Sequence, residues 1–386
     1  MTLQTYSFAL PTRIEFGPGV SKNAAVEAKA MGATKVLLVA DKGVIGAGLT
    51  DAIQDALKKE NIPFVLYDKI VPNPRDFDCM AGYEFAKAEG IDVIVAIGGG
   101  SSIDTAKAIG VLLTHGGKIQ DWCGFQLLKQ QITPLIAVPT TAGTGSEVTP
   151  FAVITDSDIH VKLNVFDPKC APNVALVDPE MLLNLPSKIM ASCGIDAMTH
   201  AVEAYTCNVA SPHTDANAIY AMQAIANNLV KAVHEPDLES CTGMMLGSTI
   251  AGIAFGFADV GAVHCMAEAL GGRYDTPHGV ANAVFLPTVI KFNAPADFKK
   301  HADVARYIGV DTRDMSMEEA AYAAADALGK LCADVDIPKF RQLPDVDPAD
   351  FEALAVAAEK NVSTPSNVRE IKAADFLQLY KEAYAL

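Results

Sequence analysis

The sequence predicts an α/β domain with a mainly parallel sheet over residues 1–185, followed by an all-helical domain over residues 186–386. Three observations carry this division. Short apolar runs alternate with helical stretches through the first half, as strands alternate with crossover helices in a parallel sheet. The last clear β signal is NVALVDP at 173–179. From Pro186 onward the apolar spacing is helical throughout.

The strands are TRIEFG, KVLLVAD, PFVLYD, DVIVAIGGG, PLIAVPTT and NVALVDP, with helical segments such as LTDAIQDALKKEN between them. The boundary falls in LLNLPSK, near residue 185. Helices are then expected at 187–207, 213–234, 236–258, 260–271, 278–292 and 316–335, with two more beyond. No internal repeat is present.

Composition narrows the function. The chain has 386 residues, half of them apolar and a fifth charged, which is globular usage. A formal net charge of −16 argues against nucleic acid or an anionic membrane as a partner, since both select basic surfaces. The opening MTLQTYSFALPTR lacks the layout of a secretory signal, and eight cysteines are scattered without a CxxC pair. These features fit reduced thiols in a cytoplasmic enzyme. Residues 241–258 (CTGMMLGSTIAGIAFGFA) carry no charge over nearly a membrane-spanning length. Their recurring small residues read as the central, buried helix of a soluble domain.

Two glycine-rich turns suggest a ligand. In DVIVAIGGGSSIDTAK a strand runs into Gly98, Gly99 and Gly100, and Ser101 and Ser102 open a helix. Glycine lets the backbone approach a ligand, and the first helical N–H groups favour an anion such as a pyrophosphate. In PLIAVPTTAGTGSEVT a second strand ends in Thr140, Thr141, Gly143, Thr144 and Gly145. Neither turn is a GxGxxG fingerprint; together they fit the crevice at strand ends of an open α/β sheet. Asp41, closing KVLLVAD, is either a turn residue or an acceptor for a ribose diol that disfavours a 2′-phosphate, and hence NADP.

GIDAMTHAVEAY sets Asp196 and His200 four apart among small apolar neighbours, on one helical face. They are either a mutually hydrogen-bonded pair or half of a metal site. HCMAEALGGRYDTPHG adds His264, on a helix that Gly271 and Gly272 should end, and His278, in the first turn of the next, with Thr276 and Pro277 as its start. Of the eight histidines, four are scattered singly along a surface-like pattern, and His213 has only Ser, Pro and Thr around it. Asp196, His200, His264 and His278 offer three nitrogens and one oxygen to a divalent metal. The competing reading, satisfied core histidines, is weakened by neighbours that are mostly Ala, Gly and Val.

GGGSSIDTAK (98–107), PTTAGTGSE (139–147), DPEMLLNLP (178–186), GIDAMTH (194–200) and the run from His264 to PHGVANA together resemble the iron-containing, group III alcohol dehydrogenases. The resemblance covers essentially the whole chain, in order. It implies a dinucleotide-binding N-terminal domain, a helical metal-binding domain and a cleft between them. Metal ligands carry over onto Asp196, His200, His264 and His278. Cofactor contacts carry over onto Asp41, Gly98, Gly99, Ser101, Asp104, Thr140, Thr144 and Lys162, with Thr141 in the same turn. Phe151 and Phe255 take the places of pocket walls. The implied reaction is hydride exchange between NAD, or NADP, and a small primary alcohol or aldehyde at a metal, iron foremost, zinc or manganese as alternatives. A homodimer or larger homo-oligomer is expected.

One departure stands out. Where the family has a second histidine, as HxxxH, this chain has Glu268, and Arg273 follows it. Glu268 is a candidate proton carrier. Arg273 is a candidate partner for Glu268 or for an anionic substrate group, which would make the chain a reductase of a small anionic aldehyde such as sulfoacetaldehyde or a semialdehyde. The remaining alternative is a glycerol-dehydrogenase-like or dehydroquinate-synthase-like enzyme, also dependent on NAD and a metal.

Overall fold

The computed structural model describes residues 5–158 and 161–386; the first four residues, Ile159 and His160 lie outside it. The chain divides into two compact units. One is Ala9–Leu185, and the other is Pro186–Leu386 together with the N-terminal segment through Phe8. Phe8 joins the helical unit because it packs on His213 and Phe257, with ring centroids 5.2 and 4.8 Å away.

In the α/β unit the described strands are β1 (Arg13–Phe16), β2 (Val36–Val39), β3 (Phe64–Tyr67), β4 (Val93–Gly98), β5 (Gly124–Phe125), β6 (Leu135–Pro139), β7 (Phe151–Asp156), β8 (Val161–Phe166) and β9 (Val174–Val177). Six form one all-parallel sheet in the order β1-β9-β6-β4-β2-β3. Its inner strands VLLV, VIVAIG, LIAVP and VALV are buried at every residue, so both faces demand apolar side chains. The helices of this unit are α1 (Ala24–Ala30), α2 (Lys42–Gly46), α3 (Asp51–Lys59), α4 (Asp76–Glu89) and α5 (Gly100–His115). From β2 the chain steps outward to β3, then crosses back to β4 and on to β6. The switch point therefore lies between β2 and β4, where open α/β sheets bind ligands beyond their strand ends.

The DPEM segment has a structural duty. Buried Asp178 accepts hydrogen bonds from the Gly19 and Ser21 amides, the Ser21 hydroxyl and the Glu180 amide, pinning β9's exit to the turn after β1.

The helical unit comprises, among the described residues, α6 (Ser187–Thr206), α7 (Pro212–His234), α8 (Leu238–Phe257), α9 (Ala262–Tyr274), α10 (His278–Asn293), α11 (Phe298–Tyr307), α12 (Met317–Asp334), α13 (Phe351–Glu359) and α14 (Ala373–Ala385). Its axis is α6, buried on all sides from Gly194 to Thr206 and packed by α7, α8 and α10. Ser211 and Asp237 cap α7 and α8 by accepting from Thr214 and Ser240 amides. Among the described residues α8 alone is long and apolar enough to cross a membrane, but 67% of its apolar window is buried inside the unit. A Cβ at Gly247 would stand 2.8 Å from Ile225, so glycine is what lets α8 meet α7.

Four local expectations differ from the structure. The β7–β8 hairpin, joined by β5 into a second sheet, carries no expected strand, because its half-buried faces dilute the apolar signal. Helix α11 also goes unread; FKKHADVARY is largely charged and buries only His301 and small residues. Gly271 and Gly272 do not end α9, which runs on to Tyr274 and stops at Asp275 in the left-handed region (φ 51°). His301, read with the surface histidines, is fully buried, its Nδ1 2.8 Å from the Asp297 carbonyl.

Candidate metal centre and cofactor turns

Three helices of one unit bring the metal-type donors together. Asp196 and His200 lie on adjacent turns of α6, His264 sits in the first turn of α9, and His278 opens α10. Asp196, His200 and His264 are buried, and His278 is partly exposed. One donor atom from each lies within 4.8 Å of all the others. His264 Nε2 and His278 Nε2 stand 4.0 and 3.7 Å from Asp196 Oδ1. Donors bound about 2.0–2.2 Å from one tetrahedral cation lie about 3.3–3.6 Å apart, close to these spacings. Three imidazoles and a carboxylate, most of them buried, suit a first-row divalent ion.

Close backbone approach makes the convergence possible. A Cβ at Gly279 would fall 2.3 Å from the Ser192 carbonyl oxygen and 3.3 Å from Asp196 Cβ. Only glycine lets the first turn of α10 lie against α6, and this contact carries His278 to Asp196.

Two buried residues escaped the sequence reading. Glu203 accepts a short hydrogen bond from His264 Nδ1, at 2.5 Å, and another from the Val263 amide, at 2.8 Å. With Nδ1 so engaged, Nε2 is the atom His264 turns toward Asp196. The signal was available: Asp196, His200 and Glu203 recur at i, i+4 and i+7 on one face of α6. Asn282, one turn after His278, places Nδ2 2.6 Å from Asp196 Oδ1, 3.1 Å from His264 Nε2 and 3.2 Å from His278 Nε2.

The electrostatics follow. Burial opposes the charge on Asp196, but the three imidazoles and the Asn282 amide outweigh it and lower its pKa. Burial likewise opposes protonation of His264. The Glu203 hydrogen bond and the charges of Glu203, Asp196 and Glu268 outweigh it, and the pKa is raised.

Phe255 on α8 stacks against His200, centroids 4.0 Å apart and planes 10° from parallel. Glu268 accepts from the Asn361 side-chain amide at 2.6 Å. Arg273 does not pair with Glu268. Its exposed guanidinium makes a bidentate contact with Asp350 at 3.0–3.2 Å, and Tyr274 donates to the same carboxylate.

In the α/β unit, Asp41 follows β2 and Gly98 ends β4, on either side of the switch point. Asp41 Oδ1 caps α2 through the Gly43 and Val44 amides, at 2.7 and 3.0 Å. Its Oδ2 faces Gly98, 3.7 Å from where a Cβ would stand. Cβ atoms at Gly99 and Gly100 would meet Thr141 at 3.1 Å and Thr144 at 2.7 Å, so the turns after β4 and β6 interlock. Thr140 donates its amide to the Gly98 carbonyl at 3.0 Å. Ser101 lies in the first turn of α5, whose N-terminus has no side-chain cap. Asp41, Gly98, Gly99, Ser101, Thr140, Thr141 and Thr144 thus share one rim of the sheet.

Asp104 and Lys162 are engaged otherwise. Asp104 accepts from the Ser146 hydroxyl at 2.5 Å and the Val153 amide at 3.1 Å. One turn on, fully buried Lys107 donates to Ser146, to the Thr149 hydroxyl and carbonyl, and to the Phe151 carbonyl at 2.6–3.1 Å. Burial depresses the Lys107 pKa against the pull of Asp104. Lys162, on β8, donates to Asn73 Oδ1 at 3.0 Å. Phe151 opens β7 and stacks on Phe166.

Comparison with known proteins agrees with this architecture. The iron-containing alcohol dehydrogenase family matches residues 11–179, and the C-terminal domain of the Fe-containing alcohol dehydrogenases matches residues 190–384. The chain is 38% identical to 1,3-propanediol dehydrogenase of Citrobacter freundii, covering 100% of both. It is 37% identical to NAD-dependent methanol dehydrogenase of Bacillus methanolicus, covering 98% of this chain and 99% of that one. A crystal structure of 1,3-propanediol oxidoreductase superposes with a TM-score of 0.96 at 36% identity, covering 98% of this chain and all of the other. On both its α/β and its helical half, the chain belongs to the iron-containing alcohol dehydrogenase family.

Proposed function

We propose that the chain catalyses reversible hydride transfer between NAD and a small, neutral primary alcohol or aldehyde, and that Asp196, His200, His264 and His278 would hold the divalent metal this chemistry uses. The observation that carries this reading is the convergence of those four donors in a buried setting. When bound, the metal supplies Lewis acidity toward the substrate oxygen and the nicotinamide supplies or accepts hydride. Asp196 is the single anion among the four donors, so most of a dication's charge stays available for polarising substrate. Phe255, flat on His200, keeps one side of the imidazole dry and apolar. Arg273 is tied to Asp350, which favours a neutral substrate over an anionic one.

On the α/β unit, Asp41 Oδ2 supports a ribose-diol contact, and the uncapped first turn of α5 supports a pyrophosphate contact beside Gly99 and Ser101. Asp104 serves by holding the 144–153 segment in place. Eight free cysteines, most of them buried, suit the cytoplasm. The sheet ends at β1, an edge strand with Phe16 exposed, and a homodimer or larger homo-oligomer is the expected assembly.

The test is a panel of small neutral and anionic aldehydes, with NADH and NADPH, on protein stripped of metal and reloaded with iron, zinc or manganese. Turnover of neutral aldehydes with NADH, dependent on reloading, is expected. Metal-independent turnover, or no turnover of any aldehyde, would sink the proposal.

A further inference from the structure

Asn282 is fully buried on α10, one turn after His278. Its amide nitrogen stands within hydrogen-bonding distance of ligand atoms from three helices: Asp196 on α6, His264 on α9 and His278 on α10. Among the described residues its carbonyl oxygen is buried with no hydrogen-bond partner. A side chain kept for packing or for its own solvation does not aim both protons at a metal-type donor set and leave its acceptor unused.

We propose that Asn282 sets how tightly and how reversibly the metal is held, by competing with the metal for the ligand lone pairs. An imidazole nitrogen offers one lone pair, to a proton or to a metal. His264 Nδ1 is committed to Glu203, so Nε2 is the only atom it can give to either. Asp196 has acceptor positions to spare and can keep its bond to the amide while binding a cation. With one amide proton kept on Asp196, metal capture costs the second, which the His264 and His278 nitrogens share, and metal release restores it. Because Oδ1 makes no bond, turning the amide away breaks nothing on that side. The competition lowers affinity and eases exchange, and it does so from inside the site.

This inference rests on the metal site proposed above, and the experiment separates the two. Full-length wild type, Asn282→Leu and Asn282→Ala are loaded with zinc and challenged with a chromophoric chelator. Leucine keeps the volume and removes the donor, so a packing role would leave its zinc affinity unmoved. Both variants should hold zinc about tenfold more tightly than wild type, and release it correspondingly more slowly. Wild type that binds one zinc, with variants that bind no more tightly, would overturn the role of Asn282. Wild type that binds no stoichiometric zinc would overturn the metal site itself, and this inference with it. Should neither variant fold, wild type labelled with 15N-asparagine decides: the Asn282 side-chain amide signals must shift on zinc addition, and an unmoved pair overturns the proposal.

Discussion

At His264 the imidazole has work on both sides: Nδ1 donates to Glu203 and Nε2 faces the other donors. Removing the orienting carboxylate frees the ring to rotate and lowers the basicity of Nε2. Glu203→Gln should weaken metal binding about 10- to 100-fold, as other losses of an orienting partner do. His264→Ala should go further, abolishing turnover and most bound metal; full occupancy by elemental analysis with a normal rate would contradict the ligand assignment. At Asp41 the effect is electrostatic. Asp41→Gly removes the charge that repels a 2′-phosphate, so the NADPH/NADH ratio of kcat/KM should rise. A wild type that already prefers NADPH would refute that role.

Helices rather than residues decide whether the donors meet. Gly279→Ala sets a methyl against the Ser192 carbonyl oxygen and forces α10 away from α6. Overpacking of this kind costs about 1–3 kcal/mol, and here it also separates His278 from Asp196. Melting temperature and metal content should both fall. Gly271→Ala is the counterpart. It lies inside α9, where a Cβ would find its nearest neighbour at 3.5 Å, so a better helix former fits. Chemical denaturation should show a gain of about 0.5–1 kcal/mol.

The same elements show what was legible in the sequence. Asp196 with His200 stood out because helical spacing needs no tertiary knowledge. The glycine-rich turns stood out because glycine clusters interrupt apolar runs. Glu203 and Asn282 followed the same helical arithmetic from Asp196 and His278, yet only the packing of three helices gives them a common target. Lys107 offered no sign, since a lysine in mid-helix reads as exposed until the 144–153 segment is folded over it. Glycine at 271 and 272 misled, because an αL aspartate three residues later ends the helix instead.

For the whole molecule, metal binding should appear as stability. A ligand that binds only the folded state adds about 2.7 kcal/mol at a hundred times its dissociation constant. Stripping with a chelator should lower the melting temperature, and zinc or ferrous iron should restore it. Loss of residues 1–8 should act on the same unit, by uncovering His213 and Phe257, while leaving NADH affinity on the α/β unit near wild type.

That shared ring contact also has a history in time. Phe8 leaves the ribosome roughly two hundred residues before His213 does, and synthesis runs at about 5–20 residues per second. The segment therefore waits about 10–40 s for its partners, while the whole α/β unit is made and can fold behind it. A nascent chain halted once residue 185 has cleared the ribosome should already bind NADH, yet its N-terminal aromatics should remain open to protease until α7 and α8 emerge.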